Sequence, residues 1–124
     1  MNIRHISSFF FIAFIFILPG CGKNKELKKD ASNIADAMCR SIEIMNRLKV
    51  TDPQDTVKIN DLQRKYQSLQ SEMEILYTEF RKKYEDQMKD SQFNKDFANE
   101  LRKAILNCRY LSKEDRVKYE KEIE

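Results

Sequence analysis
From residue 23 to residue 124 the chain contains no glycine and a single proline, Pro53. Sandwiches, barrels and doubly wound sheets need turn residues in number, because tight reversals call for glycine's positive φ or proline's fixed one. A chain without them has to be built from a few long elements joined by few turns. Apolar spacing says which elements these are. Leu27, Ala31, Ile34, Met38, Ile42, Met45 and Leu48 recur three and four residues apart, which draws one stripe along a helix. The fold class read from the sequence is therefore all-α.

The clearest turn in this region is Val50-Thr51-Asp52-Pro53-Gln54-Asp55. Asp52 can cap a helix, Pro53 suits its first position, and Asp55 adds a carboxylate to its first turn. A second helix follows, in which Ile59, Leu62, Tyr66, Leu69, Met73, Leu76 and Phe80 alternate by three and four as a heptad seam. Nothing interrupts it before Asp90-Ser91, so the spacing carries it to about Lys89, roughly 36 residues and roughly 54 Å. Tyr77, Tyr84 and Met88 broaden its lower half into a face that touches two neighbours. Asp90 or Ser91 caps a third helix carrying Phe93, Phe97, Leu101, Ala104, Ile105 and Cys108, and Ser112 with Asp115 reads as a capping box for a fourth. Short connections make successive helices antiparallel, which gives a three-helix antiparallel bundle around a long middle helix. Residues 112–124 form a short fourth helix or a frayed tail.

The start of the chain is of another kind. Arg4 and His5 precede FFFIAFIFIL, an unbroken apolar run from Phe9 to Leu18 with the length of a secretory signal core. It is too short to span a bilayer, which takes about 20 apolar residues. Pro19-Gly20 breaks the run where a signal peptidase needs extended backbone. Leu18, Gly20 and Cys21 resemble the lipobox of bacterial lipoproteins. That resemblance implies a diacylglycerol on the Cys21 thiol, removal of the signal ahead of it, and acylation of the new amino terminus. Ordinary cleavage with Cys21 as a spare thiol fits less well, because Leu18 is a poor match for the small residue such a site wants. Two or three acyl chains make a stable anchor where one binds reversibly.

The same resemblance implies outer-membrane sorting, since Gly22 is not the aspartate that retains such proteins in the inner membrane, and a periplasmic orientation, since no acidic run follows Cys21. The chain then divides into a signal peptide (1–20), a lipidated tether (21–26), a helical bundle domain (27–111) and the C-terminal segment (112–124). Lys23, Lys25, Lys28 and Lys29 cluster where the chain leaves the lipid. They read either as a contact with anionic headgroups or as a solvated first turn offset by Glu26 and Asp30.

Of 23 Lys and Arg residues only Arg4 leaves with the signal, so 22 basic face 20 acidic residues, a balance that argues against a nucleic-acid partner. The one histidine, His5, leaves too. Without it, Ser-His-Asp, Cys-His and His-ligated zinc sites have no base or ligand, and the chain is read as no enzyme, with no catalytic residues, metal or cofactor. Glu72 with Glu74, and Glu85 with Asp86, are too close in sequence to share a helix face. Tyr66, Tyr77 and Tyr84 read as core or rim, or as the lining of an apolar groove.

Cys39 and Cys108 remain, an even pair in an oxidising compartment, each on the apolar side of its helix. A disulfide between them would close a loop of about 70 residues. On the helix lengths above, Cys39 lies about 16 Å below one turn and Cys108 about 26 Å above the other, so the two miss by roughly 12 Å. Two buried thiols or an intermolecular link are the other readings.

The whole is similar in kind to small helical lipoproteins of no assigned activity. Three roles fit: a membrane-anchored module that binds another envelope protein or serves there structurally, a carrier of apolar ligands or lipids between helices, and an envelope spacer that self-associates through the heptad seam.

Overall fold
The computed structural model describes residues 18–123, with side chains from Asn24 onward. Residues 1–17, with most of the expected signal peptide, and the side chain of Cys21 lie outside the described residues. Four α-helices follow one another: α1 (Leu18–Val50), α2 (Thr56–Lys83), α3 (Ser91–Ile105) and α4 (Lys113–Glu122), with a 3-10 turn at Gln87–Lys89 between α2 and α3. No strand occurs among the described residues.

The longest helix is α1, at 33 residues, and not the second, at 28. It is also the element against which both α2 and α3 pack. Its start differs from the sequence reading. It begins nine residues before Leu27, with Pro19 and Gly20 in its first turn and residues 21–26 helical. Proline is tolerated there because the first N–H groups of a helix have no intrahelical acceptor. The helix reaches the core at once, since Leu27 is buried.

The buried arc of α1 is wider than one stripe because it serves two neighbours. Ala35, Ala37, Ser41 and Ile44 are buried along with Leu27, Ala31 and Ile34, whereas Met45 is exposed. Ser41 satisfies its hydroxyl by donating to the Ala37 carbonyl at 3.1 Å, the usual solution for a buried serine within a helix.

Asp52 does not cap α2. Its Oδ1 accepts the Gln54 N–H at 2.9 Å, an Asx turn that carries the chain around Pro53, and the N-cap falls to Asp55, which accepts the Lys58 N–H at 3.0 Å. From there the seam runs as the spacing demands. Ile44 of α1 packs with Leu62 and Leu69, and Leu48 and Tyr66 close around them.

Sequence spacing carries α2 to Lys89; the helix stops at Lys83. The cause is tertiary packing at Tyr84. This residue is buried, and its hydroxyl donates to Asp30 Oδ2 at 2.8 Å. Its ring lies 4.7 Å from Phe80 and 5.2 Å from Phe93, and Phe80 lies 4.2 Å from Phe97. Closing this aromatic cluster with the first turns of α3 requires the chain to reverse, which the 3-10 turn achieves. The Asn94 side chain ties the reversal by donating to the Met88 carbonyl at 2.9 Å. Asp90 caps α3 by accepting from the Gln92 N–H at 2.9 Å.

Pairwise contacts give the helix directions. Asp30 meets Lys83 and Tyr84, and Arg40 meets Glu72, so α1 and α2 run in opposite senses. Leu27, Ile34, Phe80 and Tyr84 form one core cluster with Phe93, Phe97 and Leu101 around it; Ala35, Ile105, Cys108 and Leu111 form another.

Candidate functional site
Three places in the fold bring together residues with distinctive chemistry. The first is the N-terminal end of α1. The backbone at Cys21 belongs to this helix, and Lys25, Lys28 and Lys29 are exposed on the turns that follow. Neither Glu26 nor Asp30 has its ion pair with these lysines. Both face Lys83 of α2, whose Nζ lies 2.7 Å from Asp30 Oδ2 and 3.7 Å from Glu26 Oε2. The Asp30 carboxylate accepting its proton raises the pKa of Lys83. Burial, and the same carboxylate, push the Tyr84 phenol up, so both groups keep their protons. Residue spacing carries no sign of this cluster, because Asp30 and Lys83 are 53 residues apart and helical spacing reports only neighbours.

The second place is the far end of α3. Cys39 and Cys108 are joined there, with Cα atoms 5.5 Å apart and sulfurs at bonding distance, 2.02 Å. Cys108 lies just past α3, in the turn that leads to α4. Ser112 caps α4 by accepting the Asp115 N–H at 3.0 Å, and its hydroxyl donates to Asp115 Oδ2 at 2.7 Å, so α4 begins as its capping box implies. What spacing does not disclose is how a helix with no buried residue is held. Arg116 donates to the carbonyls of Leu106 and Cys108, the latter at 3.0 Å, and so supplies donors to the open C-terminal end of α3. Arg102 pairs with Glu122 at 3.4 Å, and Tyr119 rests on the cluster around Ile105.

The third place is an open groove between α2 and α3, lined by Tyr77, Phe80, Met88 and Phe97, with Glu74, Arg81 and Asn94 at its polar edge; its volume is about 390 Å³. Burial raises the Tyr77 phenol's pKa. The other two tyrosines are not here. Tyr66 packs against the seam beside Ile44, and Tyr84 is in the core.

The carboxylate pairs separate. Glu72 is taken by Arg40, whose Nη1 and Nη2 donate to its two oxygens at 3.0 and 2.5 Å, while Glu74 lines the groove. Asp86 pairs with Lys89 at 3.0 Å. Among the described residues no group of three or more His, Cys, Asp or Glu is placed to hold a metal ion, and no helix is long and apolar enough to cross a membrane.

The Arg40 guanidinium holds the Glu72 carboxyl below its ordinary value of 4.5, chiefly through the hydrogen bonds. A depressed carboxyl stabilises the fold above the unfolded-chain value, and that contribution is lost as pH falls through the lower, folded-state value. Both side chains are partly exposed, so the effect is small, below about 1 kcal/mol. The Glu72→Gln variant is accordingly expected to lose stability at neutral pH and to match the parent once both are well below pH 4. Urea melts across that range would check this, and an unchanged difference at low pH would remove the ion pair as its source.

Comparison of the chain with protein-family models, with curated proteins and with solved structures finds no match.

Proposed function
We propose that this chain is a lipid-anchored helical module of a bacterial cell envelope, held through Cys21 in the outer membrane and facing the periplasm, whose helices bind another envelope protein. The observation that carries the reading is the apolar run from Phe9 that ends on Leu18-Pro19-Gly20-Cys21. The domain beyond it is an up-down-up antiparallel three-helix bundle in which α1 takes the central place and α4 folds back on α3. The partner surface is the outer side of α2, where Val57 and Ile75 stay 79% and 58% exposed, opposite a seam already turned onto α1. The packing of Leu62 and Leu69 against Ile44 of α1 favours this reading over a spacer that self-associates through the seam.

Changing Cys21 to Ser is expected to release the protein from the membrane fraction, or to leave it held only by an uncleaved signal. A Cys21→Ser chain that is cut normally and stays membrane-bound would overturn the anchor. Photo-crosslinkers placed at positions 57 and 75 in cells test the partner surface, with a buried site such as position 69 as the control. Crosslinks absent at 57 and 75 would move the partner elsewhere.

The groove at Tyr77, Phe80, Met88 and Phe97 favours one other role, a carrier of apolar ligands. Solvent extraction of the purified protein followed by mass spectrometry decides it: a stoichiometric lipid beyond the one on Cys21 supports the carrier.

A further inference from the structure
We infer that Lys25, Lys28 and Lys29 form a basic contact surface for anionic phospholipid headgroups, set on the same helix as the lipid-bearing residue. This inference rests on the anchor proposed above. Two independent observations point to it. The first is position. The helix includes Cys21 and every residue from there to Leu27, which is buried, so in a chain that begins at Cys21 no loose linker separates the anchor from the domain. At 1.5 Å per residue Lys25 stands about 6 Å, and Lys29 about 12 Å, along the axis from Cys21. The first length lies within, and the second a little beyond, the Debye length of about 8–10 Å over which the headgroups to which the acyl chains commit the chain are felt.

The second observation is that the neighbouring acids are committed elsewhere. A solvated first turn offset by local carboxylates would need Glu26 and Asp30, and both face Lys83. Asp36, two turns on, pairs with Arg40 at 3.1 Å. Across the polar cleft that Lys28 shares with α3, Glu100 pairs with Lys103 at 3.2 Å and Asp96 accepts from Gln92 at 2.9 Å. Lys25 and Lys29 are four apart and Lys28 adjoins them, so all three project from one side of the helix. The α2 side of α1, by contrast, is marked by Asp30, Ile34 and Ser41. Three exposed cations against the one exposed carboxylate of Glu26, beside a lipid anchor, suit a surface of phosphate groups bearing net negative charge.

The test uses the full chain taken from membranes and reconstituted into vesicles of phosphatidylcholine alone, or of phosphatidylcholine mixed with phosphatidylglycerol. A brief exposure to an amine-acetylating reagent is read lysine by lysine, with the exposed Lys58 and Lys118 as controls. In the anionic vesicles Lys25, Lys28 and Lys29 are expected to react about fivefold more slowly than in the neutral ones. That protection should vanish near 1 M salt, where the screening length falls to about 3 Å. Equal rates in both vesicles, or protection indifferent to salt, would overturn the contact. The mass of the same sample reads the anchor separately. Lipid on Cys21 with unprotected lysines removes the contact and keeps the anchor, while protected lysines on a chain without lipid do the reverse.

Discussion

Reducing the Cys39–Cys108 bond is expected to lower the stability of the domain by about 4 kcal/mol while leaving its helices formed at room temperature. The bond spans a sequence separation of 69 residues, so breaking it mainly enlarges the unfolded ensemble, at a cost that grows with the logarithm of the loop. A loss of that size is a large fraction of the stability of a small domain. It should fall hardest on the α3–α4 turn, because Cys108 is the last point at which α1 holds this segment covalently and its carbonyl is one of the two that Arg116 grips. The Cys39→Ala, Cys108→Ala double variant should behave as the reduced protein does. Urea melts with and without reductant measure the loss, and hydrogen exchange locates it. A midpoint indifferent to reductant would mean that the bond does not hold the fold.

The second large effect is expected at Phe80. Its side chain is 5% exposed, and three aromatic rings, those of Tyr84, Phe93 and Phe97, lie around it, with Leu27 and Ile34 in the same cluster. It therefore joins all three long helices at one point. Phe80→Ala should cost about 3–5 kcal/mol, the lost transfer energy plus the cavity that rings on two helices cannot collapse to fill. Ile75→Ala, five residues earlier and exposed, should fall within about 0.5 kcal/mol of the parent. Comparable losses at the two positions would mean that the aromatic cluster does not organise the fold.

Much of this architecture is legible in the spacing of apolar residues, and its failures have physical causes. The seam from Leu62 to Phe80 faces α1 as its period requires, because period depends only on local geometry. The end of α2 is hidden, because no glycine or proline marks it. The stop comes from a tyrosine whose hydroxyl reaches Asp30, a contact between residues 54 apart. That stop, with a start two residues later than expected, also accounts for the cysteines. Ending α2 at 28 residues instead of about 36 shortens the span by roughly 12 Å, the gap that the longer helix leaves between Cys39 and Cys108.

At the start of α2 the residue types read Asp52 as the cap and Asp55 as a carboxylate of the first turn, and spacing cannot say that the Asx turn consumes Asp52 and leaves the cap to Asp55. Met45 continues the stripe of α1, yet Ile44 is buried in its stead, because a helix with two neighbours centres its buried arc between them. Of the candidate sites, the cysteine pair and the capping box of α4 are visible in residue type and spacing. The groove, the Asp30–Lys83–Tyr84 cluster and the grip of Arg116 depend on which helices meet, and no local pattern contains that.

The proposed anchor is tested most directly by the N-terminal peptide of the protein taken from the membrane fraction. Mass spectrometry should find a chain that begins at Cys21, with a diacylglycerol on its thiol and a further acyl group on its amine. A chain beginning at another residue, or a Cys21 thiol carrying nothing, would contradict the account.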